Sequence, residues 1–349
     1  VRKNTILSVF LVLALVLTLA GCGGGGASTE SKPGENAKDQ KVYKLKLGHV
    51  GPANSDHPWE KYALEFAGKI NEATNGQVIV NTYPGSQLGA DREMTEALQQ
   101  GTMEIGLIST IAMGNFVPEL QVWDMPYIFP GDNAKVDEIL EGPVGKQLAQ
   151  AAESKGLKIL AYWENDWRNM SNSKRVIEKV GDLKGLKMRV VENQPSLDWF
   201  KRVGAIPTPM AFSEVYTALQ QGTVDGQDNG TVLTYGSKFY EVQPYYTVTH
   251  HIYCPLAFVV SAKTWEALSP DLQEKITRLA VELGREQRNY NRQKAEQYLN
   301  DMEKSGVKVV RDLPAEALKG FQDSAQGTYD ALGSSISKEL INAMLEYRS

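Results

Sequence analysis

The chain has 349 residues, 37 Lys and Arg against 42 Asp and Glu, a formal charge of -5, and 42% hydrophobic residues. An acidic balance with no basic cluster excludes a nucleic-acid backbone as partner. Two cysteines exclude a disulfide-stapled scaffold, so the core must hold together by burial alone, and the length favours two lobes over one.

The first segment carries Arg2 and Lys3, an apolar run from Ile6 to Leu19, and then Ala20-Gly21-Cys22. A basic start, an apolar run of about half a membrane span and small residues before a cysteine mark a bacterial lipoprotein signal peptide over residues 1–21. Cleavage there deletes two cations, taking the formal charge from -5 to about -7. Cys22 would carry lipid and hold the protein at a membrane face outside the cytoplasm. Cys254 is then the only thiol left, and no intramolecular disulfide is expected. Residues 22–41, opening on four further glycines and continuing in polar residues, read as a flexible tether.

From Val42 the pattern changes. Tyr43-Lys44-Leu45-Lys46-Leu47 alternates in the period of a half-buried strand, Pro58 to Ala73 carries apolar residues at helical spacing and stops at Asn75-Gly76, and Val78-Ile79-Val80 restarts a strand. Strand, helix, strand opens an α/β domain. A phrase then occurs twice: Glu93 to Glu104 (EMTEALQQGTME) returns as Glu214 to Asp225 (EVYTALQQGTVD). Each copy predicts a helix stopped at a glycine, Gly101 or Gly222, before a strand. The first copy runs into Ile105-Gly106-Leu107-Ile108-Ser109, whereas the second runs into the polar Gly226-Gln227-Asp228-Asn229-Gly230, which can meet a solute.

Leu186, Met188 and Val190 alternate with Lys187 and Arg189, so on a strand Arg189 points away from the apolar face, towards solvent, a cleft or another layer. A guanidinium there is suited to grip a carboxylate through two charge-assisted bonds; the alternative is a surface arginine paired to an acid. Arg168, preceded by Trp163-Glu164-Asn165-Asp166-Trp167, is a second candidate. Trp163 and Trp167 are candidates to stack on a ligand, or else pack a hinge or core.

Pro270 to Ser305 holds no proline and one glycine, Gly284. An apolar stripe of Leu272, Ile276, Leu279, Leu283, Tyr290, Tyr298 and Met302 predicts either one helix of about 54 Å, long enough to cross both lobes, or two helices broken near Gly284. Gly306 to Val310 reads as a strand and Pro314 to Tyr347 as further helix.

Hydrolase-elbow, phosphate-loop and zinc-protease motifs are absent from the sequence, and no metal site or cofactor is expected. The adjacent His250 and His251 would face opposite sides of a strand and are read as hydrogen-bonding core or loop residues.

Several blocks in order carry a family resemblance: Tyr83-Pro84-Gly85-Ser86-Gln87-Leu88-Gly89-Ala90-Asp91-Arg92-Glu93; Pro118-Glu119 with Asp124-Met125-Pro126-Tyr127; Leu183-Lys184-Gly185-Leu186-Lys187-Met188-Arg189-Val190; Pro207 to Tyr216; Val224 to Asn229; and Lys238 to Gln243. From about Tyr43 onward the chain resembles a solute-binding protein of the tripartite ATP-independent periplasmic (TRAP) transporters. The resemblance implies a two-lobe, periplasmic-binding-protein-like (Venus flytrap) α/β fold with a long helix spanning both lobes. The lobes are expected at 42–165 plus about 255–294, and at 166–254 plus about 295–349. It further implies that Arg189 grips the ligand carboxylate, that Arg168 and Asn229 support it, and that Phe212 walls the site. Asp91 and Ser109 would reach the rest of the solute, and His49 and Trp163 complete the expected ligand-binding set. Val50 and Ser109 depart from the sialic-acid branch, implying a smaller hydroxy acid, dicarboxylate or sugar acid. The expected partners are that acid and the membrane subunits of an ion-gradient-driven transporter, with the protein a monomer. Two other classes stay open: an extracellular organic-acid-processing enzyme using Asp91, Glu192 or His49 as acid or base, and a binding lipoprotein for an ATP-driven importer or sensor kinase.

Overall fold

The computed structural model describes residues 41–348; the expected signal peptide, Cys22 and nearly all of the expected tether lie outside them. Among the described residues nine strands form one sheet: β1 (Tyr43–His49), β2 (Val78–Tyr83), β3 (Ile105–Ser109), β4 (Leu157–Asn172), β5 (Lys187–Val190), β6 (Ile206–Pro209), β7 (Gly226–Gly230), β8 (Tyr245–Ser261) and β9 (Lys308–Val310). The order is β2-β1-β3-β8-β4-β7-β5-β6, with β9 beside β8. β1 pairs in parallel with β2 and β3, and β5 in parallel with β6 and β7, so each end of the sheet is a parallel α/β unit.

The middle is antiparallel. β4 and β8, 16 and 17 residues long, run side by side through both halves. The far end of β8 pairs β3 from Leu256 to Val260, while the far end of β4 pairs β7 from Arg168 to Asn172. Their mutual register slips between Ile159 and Ala161, between Glu164 and Asp166, and between Arg168 and Met170. Such bulges bend a strand pair and raise its twist, which turns one half of the sheet relative to the other.

Each half has its own core. Leu47, Phe66, Ile105, Trp123, Trp163 and Phe258 belong to the larger cluster; Leu186, Met188, Val190, Trp199 and Phe200 belong to a second one. The expected alternation around Arg189 is therefore present: Leu186, Met188 and Val190 face that second core. The expected repeat is also present. Helix Asp91–Gln100 stops at Gly101 (φ 74°) before β3, and helix Val215–Gln220 is followed by Gly222 (φ 70°) before β7. In the C-terminal helix Lys338–Glu346, Leu340, Ile341 and Met344 join the larger core.

The long helix is continuous from Pro270 to Lys304, 35 residues, started by the Ser269 hydroxyl accepting from the Leu272 N–H. Near its start it packs on the first core, and further along Tyr298 stacks on Tyr235 at 4.2 Å. Its middle is polar and buried. Gln287, Arg288 and Asn291 sit under β4, where Gln287 bonds both the N–H and the C=O of Glu164, and Arg288 donates to the Tyr162 carbonyl. These residues supply partners to backbone groups at a bulge, where the ladder cannot.

Gly284 does not break the helix; it is where the helix meets Trp163. A Cβ built there would lie 2.6 Å from Trp163 Cδ1 and 2.8 Å from its Nε1. Alanine is favoured over glycine in a helix by about 1 kcal/mol, yet overpacking here is expected to outweigh that, so Gly284→Ala should lose about 1–3 kcal/mol. A urea midpoint equal to or above the wild type would show that the crossing tolerates the extra carbon.

Candidate functional site

Between the two ends of the sheet lies a cavity of about 290 Å³. Six of the expected residues line it: Arg189, Arg168, Asn229, Phe212, Asp91 and Ser109. The fold places them by simple rules. Arg189 is the inward alternate of β5, Arg168 and Asn229 come from the paired strands β4 and β7, and Phe212 sits on the turn after β6. Ser109 ends β3, and its N–H donates to Asp91 Oδ1 at 3.2 Å, tying it to the first turn of helix Asp91–Gln100.

The two arginines differ in one respect that governs the chemistry. Arg168 is matched: its Nε donates to Asp228 Oδ2 at 2.6 Å, its Nη2 to the Asp228 carbonyl, and its Nη1 to Asn229 Oδ1 at 3.3 Å. Burial alone would raise the Asp228 carboxyl, but the Arg168 charge and the bond from His251 hold it below the usual carboxylate range. His251 itself is kept in place by Thr249 at 2.7 Å and by stacking on Trp199 at 5.0 Å.

Arg189 is unmatched. It is 2% exposed, and its Nε and Nη2 both donate to the Met210 carbonyl, at 3.0 and 2.7 Å. Its Nη1 is buried with no partner, and among the described residues no carboxylate lies within ion-pair distance of it. Burial, with the nearby Arg168 charge, pushes the guanidinium down to about 10, so it stays charged at neutral pH. A buried cation with an open donor on a cavity wall calls for an anion.

Asp91 is half-buried, with Oδ1 taken by Ser109. Burial pushes its carboxyl up to about 6, against the Ser109 bond and the Arg189 charge. The Ser109 hydroxyl is turned to Cys254 Sγ at 3.3 Å.

Two expected residues are not at the wall. His49 is fully buried behind it and bonds Glu60 Oε2 at 2.9 Å; on an alternating strand end its neighbour Val50 takes the cavity position. Trp163 is fully buried in the larger core, donates to the Ala280 carbonyl at 2.9 Å and closes against Gly284. Trp167 packs on Tyr253 and His250, at 5.1 and 5.5 Å, and lines a different groove.

Among the wall residues that escaped the sequence reading are Trp59, Asn165 and Leu233. Asn165 lies three residues before Arg168, and alternation along β4 would have kept the two on opposite faces. The bulge between Glu164 and Asp166 breaks that alternation, and nothing in the sequence announces it.

Comparison with known proteins identifies the family. Residues 47–335 match the profile of bacterial extracellular solute-binding protein family 7. The 2,3-diketo-L-gulonate-binding periplasmic protein YiaO of Escherichia coli is 34% identical over 274 residues, covering 78% of this chain and 80% of that protein. The sugar-acid-binding protein DctPAm of Advenella mimigardefordensis, solved with galactonate, superposes with a TM-score of 0.84 at 36% identity, covering 88% of this chain and 98% of that one. A TRAP solute-binding protein of Polaromonas, solved with D-erythronate, gives 0.83 at 34% identity, covering 87% and 98%. The family captures solutes for transport and does not transform them. With its two-lobe α/β fold, its long crossing helix and this match over most of its length, the chain belongs to family 7 of the bacterial extracellular solute-binding proteins, the solute-capturing component of TRAP transporters.

Proposed function

We propose that this protein captures a small organic acid in the cavity and hands it to the membrane subunits of an ion-gradient-driven TRAP transporter. The ligand carboxylate is held by Arg189, with Arg168 and Asn229 beside it and Phe212 against the carbon chain. One observation carries this reading: Arg189 Nη1, buried, charged and unpartnered, on the wall of a cavity of small-molecule size. The galactonate and erythronate held by similar proteins support the same class of ligand.

Capture trades the water on the carboxylate for charge-assisted bonds in a site that closure dries, and the ligand favours the closed form only by its differential affinity for it. The lobes of that movement are residues 42–165 with about 255–294, and 166–254 with about 295–349. The register slip between Glu164 and Asp166 on β4, facing Pro255 and Cys254 on β8, supports a hinge there. Cys22 anchors the protein through lipid, residues 22–41 serve as its tether, and it works as a monomer.

A melting-temperature panel of organic acids tests the function. True ligands are expected to raise the midpoint in proportion to the logarithm of their concentration over Kd, and to be recovered chemically unchanged. If no organic acid moved the midpoint, or if a bound acid came back as product, the reading would be lost.

A further inference from the structure

We infer that the site selects polyhydroxylated monocarboxylates, of the aldonate type, and rejects dicarboxylates of the same length, with Asp91 as the residue that discriminates. This rests on the proposed capture of an organic acid by Arg189 and narrows its class.

The argument is a count of charges and of open hydrogen-bonding atoms around one cavity. Of its cations, Arg168 is matched by Asp228, and Arg92 is exposed and answered by Glu96 at 3.3 Å and Glu192 at 3.5 Å. Only Arg189 is left for a ligand, so the cavity can neutralise one carboxylate. A second carboxylate would meet acids: Asp91, Glu93 and Glu214 all line the same space. Like charges brought together in a dried site repel strongly, which is the usual device for refusing a wrong partner.

The wall instead offers partners suited to hydroxyl groups. Ser109 N–H occupies one oxygen of Asp91, leaving the other to accept from an alcohol. Asn165 Oδ1 is buried, has no partner and belongs to a residue of the wall; its Nδ2 is spent on Cys254 Sγ at 3.5 Å. Trp59, also of the wall, has its indole N–H buried without a partner. An alcohol both donates and accepts, so a chain of hydroxyls can satisfy a carboxylate, an amide oxygen and an indole N–H together. A bare alkyl acid leaves all three unpaired, and a site built around buried polar groups penalises a ligand lacking the matching hydroxyls.

Asp91 also sets a pH dependence. The charged groups acting on it are Glu93 on its own helix and Arg189 and Arg168 from β5 and β4. With its carboxyl pushed up to about 6, it is ionised at pH 7.5 and largely protonated at pH 5. A protonated Asp91 can donate to a second carboxylate, so the barrier to dicarboxylates falls as the pH drops through 6.

The test is calorimetric titration with matched acids: galactonate against galactarate, erythronate against succinate, and butyrate as the acid without hydroxyls. At pH 7.5 the best aldonate is expected to bind about a hundredfold more tightly than its dicarboxylate partner, and butyrate not measurably. Asp91→Asn, which mimics the protonated acid in shape, should reduce that ratio at least tenfold at pH 7.5 and remove the part of its pH dependence between 7.5 and 5 that the ligand's own titration does not account for. Dicarboxylates binding the wild type as well as aldonates, or a ratio unmoved by Asp91→Asn, would overturn the assignment while leaving acid capture intact. Binding of no acid in the series or in a wider acid panel would overturn both.

Discussion

Replacing Arg189 by methionine is expected to abolish acid binding while leaving the empty protein as stable as the wild type, or more so. A charge-assisted hydrogen bond contributes about 1.5–3 kcal/mol, so losing a two-bond grip should weaken binding by about 10²- to 10³-fold. The stability side follows from the same geometry. In the empty cavity the guanidinium is 2% exposed with an unpartnered Nη1, and burial works against its charge. Methionine keeps the apolar stem and removes the buried cation. It also leaves the Met210 carbonyl without its two donors, a loss of about 1 kcal/mol. The melting midpoint without ligand should therefore stay near or above the wild type, while the ligand-induced rise disappears. A variant that kept the wild-type rise would show that the carboxylate sits elsewhere. One that unfolded would show that Arg189 is structural.

Sequence periodicity was informative wherever a residue's role followed from its own strand or helix. The alternation over Leu186, Met188 and Val190 turned Arg189 away from the apolar face, and the second copy of the helix-glycine-strand phrase led into the polar tip that carries Asn229, whereas Asp91 came only from the family resemblance. It failed where the geometry depended on a neighbouring element. For Trp163 the sequence leaves ligand stacking and core packing open, and the long helix decides for the core by passing so close that Gly284 and Trp163 seal against each other. The apolar stripe of that helix hid its buried polar centre, since Gln287, Arg288 and Asn291 match backbone and carboxylate groups exposed only by the bulge in β4. The same bulge brought Asn165 to the wall. His251 was legible as a bonded core histidine, but its partner Asp228 was not, because the pairing depends on β7 meeting β4 beside β8.

Asp228 is where the largest loss of stability is expected. It sits 1% exposed between Arg168 and His251, and Asp228→Ala would leave the Arg168 guanidinium buried with its charge unanswered. Removing one partner of a buried ion pair costs about 3–5 kcal/mol, whereas replacing both by apolar residues is often neutral. Equilibrium urea unfolding should therefore place Asp228→Ala well below the wild type, and Asp228→Ala combined with Arg168→Met above the single variant. The pH dependence has a definite sign. A carboxyl held below its ordinary value of 3.8 contributes stability that is fully present above that pH and fades as the pH falls beneath it. The wild-type advantage over Asp228→Ala should hold from pH 8 to 5 and shrink in stronger acid. The variant also makes a functional prediction, because it turns Arg168 into a second free cation on the cavity wall. A ligand carboxylate would then neutralise two charges, so the ligand-induced rise in melting midpoint should be larger in Asp228→Ala than in the wild type. An equal or smaller rise would mean that Arg168, despite lining the cavity, does not reach the ligand.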